Sequence, residues 1–280
     1  MGGQWPSFFC FALMMYPIRK SQILRYVMKI RKLSAVMLVL AFASAAFSQS
    51  ADSAELKAFF EAEWQWNLEQ SPTFASFLGD KRYNARWNDQ SLDAFARRNR
   101  HHAEALEKLK LFDSAKLTPR DALNRDLFLR DLESAIKNYE AGLYLLPINQ
   151  MGGIQTADEI ADLMRFDSAR DYQDWIARLN SFGTYTDQTL ELLAEGRRRG
   201  IIWSRLVLDR VPAQIDKQIV DAPENSPFYS PFKRFPAALS PDERNALSAA
   251  GKKAIADNVI PAFRRLREYF VNQYLPSAYP

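Results

Sequence analysis

Three times in this chain a hydroxyl side chain is followed at once by proline, at Ser71-Pro72, Thr118-Pro119 and Ser240-Pro241, and an apolar pattern of helical spacing comes after each. A Ser or Thr at the N-cap accepts a bond from a free amide of the first turn, and a proline at the first helical position forgoes an N–H that has no partner anyway. These pairs therefore read as helix starts. Thr156-Ala157-Asp158-Glu159 and Ser240-Pro241-Asp242-Glu243 add the capping-box pattern. Leu56, Phe59, Phe60 and Trp64, then Leu123, Leu127 and Ile136, then Tyr172, Trp175, Ile176 and Leu179 recur at helical spacing and read as core-facing stripes. The pattern predicts helices over 53–69, 72–79, 91–111, 118–141, 156–164, 168–181, 184–199 and 240–275, the last kinked at Pro261. Between Ile201 and Val220 the branched residues of IIWSRLVLD suit a strand, whereas Pro212, Gln214, Lys217 and Gln218 suit a helix, and the helix is favoured. The fold class expected is predominantly all-α, a multi-helix array.

The first 48 residues have a different character. From Met28, the cations Lys29, Arg31 and Lys32 precede an apolar run from Leu33 to Ala43, and small residues follow at Ala43-Ser44-Ala45 and Ala46-Phe47-Ser48. That order is the order of a secretory signal peptide. An uncleaved anchor is the alternative, but the run is shorter than the ~20 residues a spanning helix needs. Residues 28–48 are therefore expected to be a signal cut near Ser48, residues 1–27 an upstream extension ahead of the true start, and residues 49–280 a single helical region. The leader would bring the membrane in only transiently, and the mature chain would be periplasmic or secreted.

Removing that leader changes the charge. Six of the 37 Lys and Arg residues and none of the 33 Asp and Glu lie within it, so the remainder holds 31 basic and 33 acidic side chains. An overall formal charge of +4 becomes slightly negative, and the apparent basicity gives no support to nucleic-acid binding. The one cysteine, Cys10, is in the same segment, so the mature chain would have no disulfide, no thiolate metal ligand and no lipid-anchoring cysteine.

Few residues invite chemistry. His101 and His102 are the only histidines, and neighbours on a helix point about 100° apart, so they do not readily share a metal and read as a solvated helix face. Asp158, Glu159, Asp242 and Glu243 sit at helix starts, where negative charge suits the macrodipole. Two loops stand out. In LPINQMGGIQT, Gln150, Gly152 and Gly153 precede a helix start, and successive amides there are able to receive a carboxylate, although a simple connection is the favoured reading. In SPFYSPFKRFP, Phe228, Tyr229, Phe232 and Phe235 are crowded between prolines, which suits packing on another surface, an apolar subsite, or a lid over the chain's own core.

Seven segments in order, SPTFASFLGDKRYNARW, LTPRDALNRDLFLRDLE, LPINQMGGIQ, RDYQDWIARLNSF, LLAEGRRRGIIWSRLVLDRVPAQI, SPFYSPF and FVNQYLP, resemble the N-terminal half of the bacterial domain-of-unknown-function 885 family. The resemblance implies a secreted or periplasmic helical protein, longer than this chain and related to zincin-like metallopeptidases. Its zinc would be held by a histidine/glutamate motif in the C-terminal half, with the N-terminal helices forming one wall of a peptide-substrate cleft. No catalytic or metal-ligating residue of such a motif maps onto this sequence, so no cofactor is expected in the chain itself. The partner implied is the missing C-terminal half or a separately encoded equivalent. The alternative is a self-contained, non-enzymatic periplasmic binding protein. If the chain is one half of a larger unit, the aromatic loop of residues 228–235 is the expected uncovered surface.

Overall fold

The computed structural model describes residues 51–280, so the expected signal peptide and the extension before it lie outside the described residues. Among the described residues there is no β-strand, only the isolated bridges Asn149 to Gly152 and Ser204 to Tyr279. The fold is all-α, as the periodicity predicts.

Three long helices form one layer. Helix α1 covers residues 51–70, α3 Leu92–Lys110 and α4 Pro119–Glu140; the short α2, Pro72–Phe77, follows α1. The start signals work as expected at Thr118, whose hydroxyl accepts from the Asp121 amide at 3.2 Å. Helix α3 is capped by Ser91 accepting from Ala94 at 3.2 Å. These helices bury Leu56, Ala105, Leu106, Leu109, Leu117 and Leu132 between them, with Phe59, Phe60 and Phe128 packed alongside.

The larger core lies beyond this layer. It is built by α6 (Ala169–Asn180), α7 (Phe182–Arg199), the short α8 (Arg205–Leu208) and α9 (Val211–Asp216), α10 (Pro241–Ala254) and α11 (Ile260–Tyr269). The uncertain segment 201–220 is helical where it is regular, in α8 and α9. Pro261 acts through the turn before it: Ile255–Val259 is a π-helical segment, and the proline falls in the first turn of α11. A proline ring crowds the carbonyl four residues back, and the widened π turn accommodates it. The chain end returns to this core, where the Arg205 amide donates to Tyr279 O at 2.6 Å and the Tyr279 hydroxyl to Gly200 O at 2.9 Å.

Three expectations are corrected. The Thr156–Glu159 stretch forms no capping box, because the Thr156 hydroxyl donates back to Gly153 O at 3.2 Å and Ile154–Glu159 tightens into a 3₁₀ segment, so that α5 starts only at Ile160 and ends at Leu163. The capping box instead forms at Ser168 and Asp171, ahead of α6. Second, Trp64, Leu123 and Leu127 are not core: they remain 42%, 58% and 49% exposed. Helical spacing puts side chains on one face but does not supply the element that covers it. Third, the aromatic loop is not an uncovered surface. Phe228, Tyr229 and Phe232 are buried and Phe235 half-buried, because the 3₁₀ turns of Pro227–Lys233 aim their rings at Trp175, Phe182, Phe263 and Tyr172. Of the three readings open for that loop, the lid over the chain's own core describes its position.

Candidate functional site

The side chains with the most chemistry meet where α1, α3 and α4 come together. A cleft of about 380 Å³ opens there, walled by Phe60, Trp64, Trp66, Leu127 and Phe128 and carrying the polar groups of Glu63, Asn67, His102, Asn124 and Asp131. No lysine or arginine lines it.

The two histidines are not a solvated face. His101 Nε2 lies 2.7 Å from Glu63 Oε2, and the imidazole stacks on the indole of Trp66 with ring centres 3.7 Å apart and planes 11° from parallel. His102 meets the same indole edge-on, at 5.7 Å and 76°. The roughly 100° offset between adjacent helical residues places the two imidazoles against the face and the edge of one ring. His101 holds the Glu63 carboxylate by one oxygen. The other oxygen, Oε1, and the carboxylate of Asp131 have no partner among the described residues.

Burial pushes the His102 pKa below the ordinary histidine value of 6.5, with His101 and Arg98 adding to the effect. The folded chain therefore takes up this proton less readily than the unfolded chain. Stability attributable to His102 is full above pH 6.5 and is lost as the pH falls from there toward its own lower value. An NMR titration of the His102 ring proton should give a folded-state midpoint below 6.5; a midpoint at or above it would contradict the burial described here.

Zinc, which the family resemblance implies for a longer relative, does not fit these residues. Among the described residues no group of three or more His, Cys, Asp or Glu side chains is placed to hold a metal ion. A zinc site needs three or four converging ligands, and the imidazoles of His101 and His102 pack on the face and the edge of Trp66 instead.

The seven residues singled out in the sequence lie elsewhere, in two separate places, and none lines the cleft. The 149–158 loop is tied to α9 and the turn after it: Gln214 Nε2 donates to Gln150 O at 3.0 Å, and Gln218 Nε2 donates to Gln155 O at 3.0 Å and to Asp158 at 2.8 Å. Its amides are largely spent internally, Met151 N on Asn149 Oδ1 at 2.7 Å and Gly152 N on Asn149 O at 3.2 Å. Gly153 is there for its backbone, with φ of +145°, and a Cβ would sit 2.9 Å from Pro147 O. Gln150, Gly152 and Gly153 thus serve a tight connection. Phe228, Tyr229, Phe232 and Phe235 belong to the large core. The cleft was hidden from sequence reasoning because Glu63, His102 and Asp131 come from three helices with no spacing to join them. The one available signal was the pair of indoles, Trp64 and Trp66, beside Glu63 in EAEWQW.

Fold and site together define an all-α helical array with an acidic, aromatic-walled cleft. The family described as "Bacterial protein of unknown function (DUF885)" matches residues 72–279, and the chain belongs to that family. Among curated proteins none matches. Among solved structures the chain is similar to a crystal structure described as "the putative lipoprotein from Colwellia psychrerythraea", with 14% sequence identity and a TM-score of 0.67. The match covers 81% of this chain and 42% of that one, so the chain spans less than half the length of this structural relative. At that identity the likeness concerns the fold. No helix among the described residues is long and apolar enough to cross a membrane.

Proposed function

We propose that this chain is the helical substrate-cleft portion of an exported protein resembling zincin-like metallopeptidases, and that residues 51–280 bind peptide while the metal chemistry belongs to a further segment. The observation that carries the reading is the α1/α3/α4 cleft: two carboxylates, Glu63 and Asp131, among aromatic walls and with no lining cation. Such a site suits a basic side chain or an α-ammonium group, which gains from the carboxylates and from the faces of the indoles. The metallopeptidase part rests on the sequence resemblance alone, and the order of charge, apolar run and small residues from Met28 supports export. The share of the structural relative that is covered supports the division into two portions.

A self-contained binding protein is the second reading. It is favoured by the burial of the 228–235 aromatic loop within the chain's own core. Metal analysis and peptide hydrolysis separate the two when measured on purified residues 49–280 and on the product of the same gene with the following DNA included. The first reading expects neither zinc nor hydrolysis from 49–280, and both from the longer product. Stoichiometric zinc on 49–280 contradicts it, and a longer product without zinc leaves the binding protein.

A further inference from the structure

The short helix α2 buries its small residues and shows its large ones. Within PTFASF, Pro72, Ala75 and Ser76 are buried, whereas both phenylalanines face outward. The helical period accounts for the split, since positions 72, 75 and 76 share one face and positions 74 and 77 the opposite one. The inner face is committed: Ser76 Oγ donates to Asn84 Oδ1 at 2.7 Å and accepts from the interior Arg178 at 2.8 Å. The outer face continues the α1/α3/α4 cleft.

Trp64, which walls that cleft, meets Phe74 edge-on at 6.1 Å and 83°, and Phe74 stacks on Phe77 at 6.3 Å and 18°. Leu78 follows Phe77 in the chain, and all four side chains are between 39% and 55% exposed. A contiguous row of large apolar side chains on a surface marks a place of contact. The neighbouring cation does not claim it, because Arg82 is spent on Asp80 at 2.6 Å and on Gln65 at 2.7 Å. Past Phe77 the surface turns polar, in a groove also lined by Lys81, Arg165 and Asp167, so the row has a defined end.

The spacing of the row matches an extended chain. Alternate side chains of an extended peptide fall on one face roughly 6.6 Å apart, and the steps from ring to ring are 6.1 and 6.3 Å. We propose that the row Trp64, Phe74, Phe77 is an apolar extension of the cleft, which seats the side chains at the second and fourth positions from the basic residue of a bound peptide. Trp64 belongs to both surfaces, so a chain anchored at Glu63 and Asp131 leaves the cleft over the first ring of the row. The ligand class narrows to a cation with apolar residues at alternate positions on one side of it. This rests on the peptide reading of the cleft, which supplies the anchor.

The test is a calorimetric titration of the purified protein with short peptides that are serine throughout apart from a central lysine. One carries the lysine alone. Two others add leucine at the second and fourth positions from it, on the N-terminal or on the C-terminal side, and their controls carry the leucines at the first and third positions, which turns them to the other face. One of the two leucine peptides should bind about tenfold or more tightly than the lysine peptide, from the apolar area it covers. That gain should disappear in its shifted control and in Phe77→Ser, a substitution at an exposed position that spares the buried face of α2. Binding of the lysine peptide with no gain from leucine on either side overturns the extension and leaves the cleft standing, as does a gain that survives the shift or survives in Phe77→Ser. A lysine peptide that does not bind overturns the reading of the cleft and the extension with it.

Discussion

Trp175→Ala should lower the stability of the helical unit by about 3–5 kcal/mol, a loss comparable with the ~5–15 kcal/mol that holds a typical domain together. The indole is fully buried at the centre of the large core, stacked at 16° on Phe228 and edge-on to Trp87. Its Nε1 also donates to Phe228 O at 3.1 Å, so truncation leaves both a cavity and an unanswered carbonyl. Chemical denaturation followed by circular dichroism reads the change. Trp64→Ala is the matched comparison, because that indole is 42% exposed at the cleft and should cost less than about 1 kcal/mol. Equal losses in the two variants would mean that the core is not centred where it is described.

Gly196→Ala is expected to be costly for a different reason. Gly196 lies in α7 where the chain at Leu145 and Ile201 passes close by, and an added Cβ would meet Leu145 O and Ile201 O, each at 2.8 Å. Both obstacles are backbone, so neither can rotate away, and the helix or the crossing segments must shift. Overpacking of this kind costs about 1–3 kcal/mol. Gly251→Ala makes the informative contrast. There the Cβ would meet the ring of Phe232 at 2.5 Å, which is a side chain but a buried one. Thermal unfolding of both variants checks the pair, and a Gly196→Ala protein as stable as the parent would show that those carbonyls are free to move.

The helices were legible because their signals are local. Thr118 and Ser240 cap helices through atoms within three residues of them, and Tyr172, Trp175 and Leu179 fall on one buried stripe of α6. The failures share a physical cause, which is that the deciding atom lay far away in sequence. Thr156 had the spacing for a capping box with Glu159, but the turn at Gly153 drew its hydroxyl backward. Leu123 and Leu127 had helical spacing, but nothing among the described residues covers their side of α4. The 228–235 loop announced stiffness and aromatic content, and which way the rings turn was set by Trp175 and Phe182, roughly fifty residues earlier. The His101 and His102 pair looked solvated because its partners, Glu63 and Trp66, lie a helix away on α1.

The cleft itself is the part of the account most open to a direct trial. Titration calorimetry with short peptides differing only in one side chain, basic, neutral or acidic, tests whether Glu63 and Asp131 select a cation. The account predicts saturable binding of the basic peptide, accompanied by a change in tryptophan emission from Trp64 and Trp66. In Glu63→Gln that affinity should fall about tenfold, the equivalent of roughly 1.4 kcal/mol. Equal affinity for all three peptides, or a Glu63→Gln protein that binds the basic peptide as tightly as the parent, would contradict it.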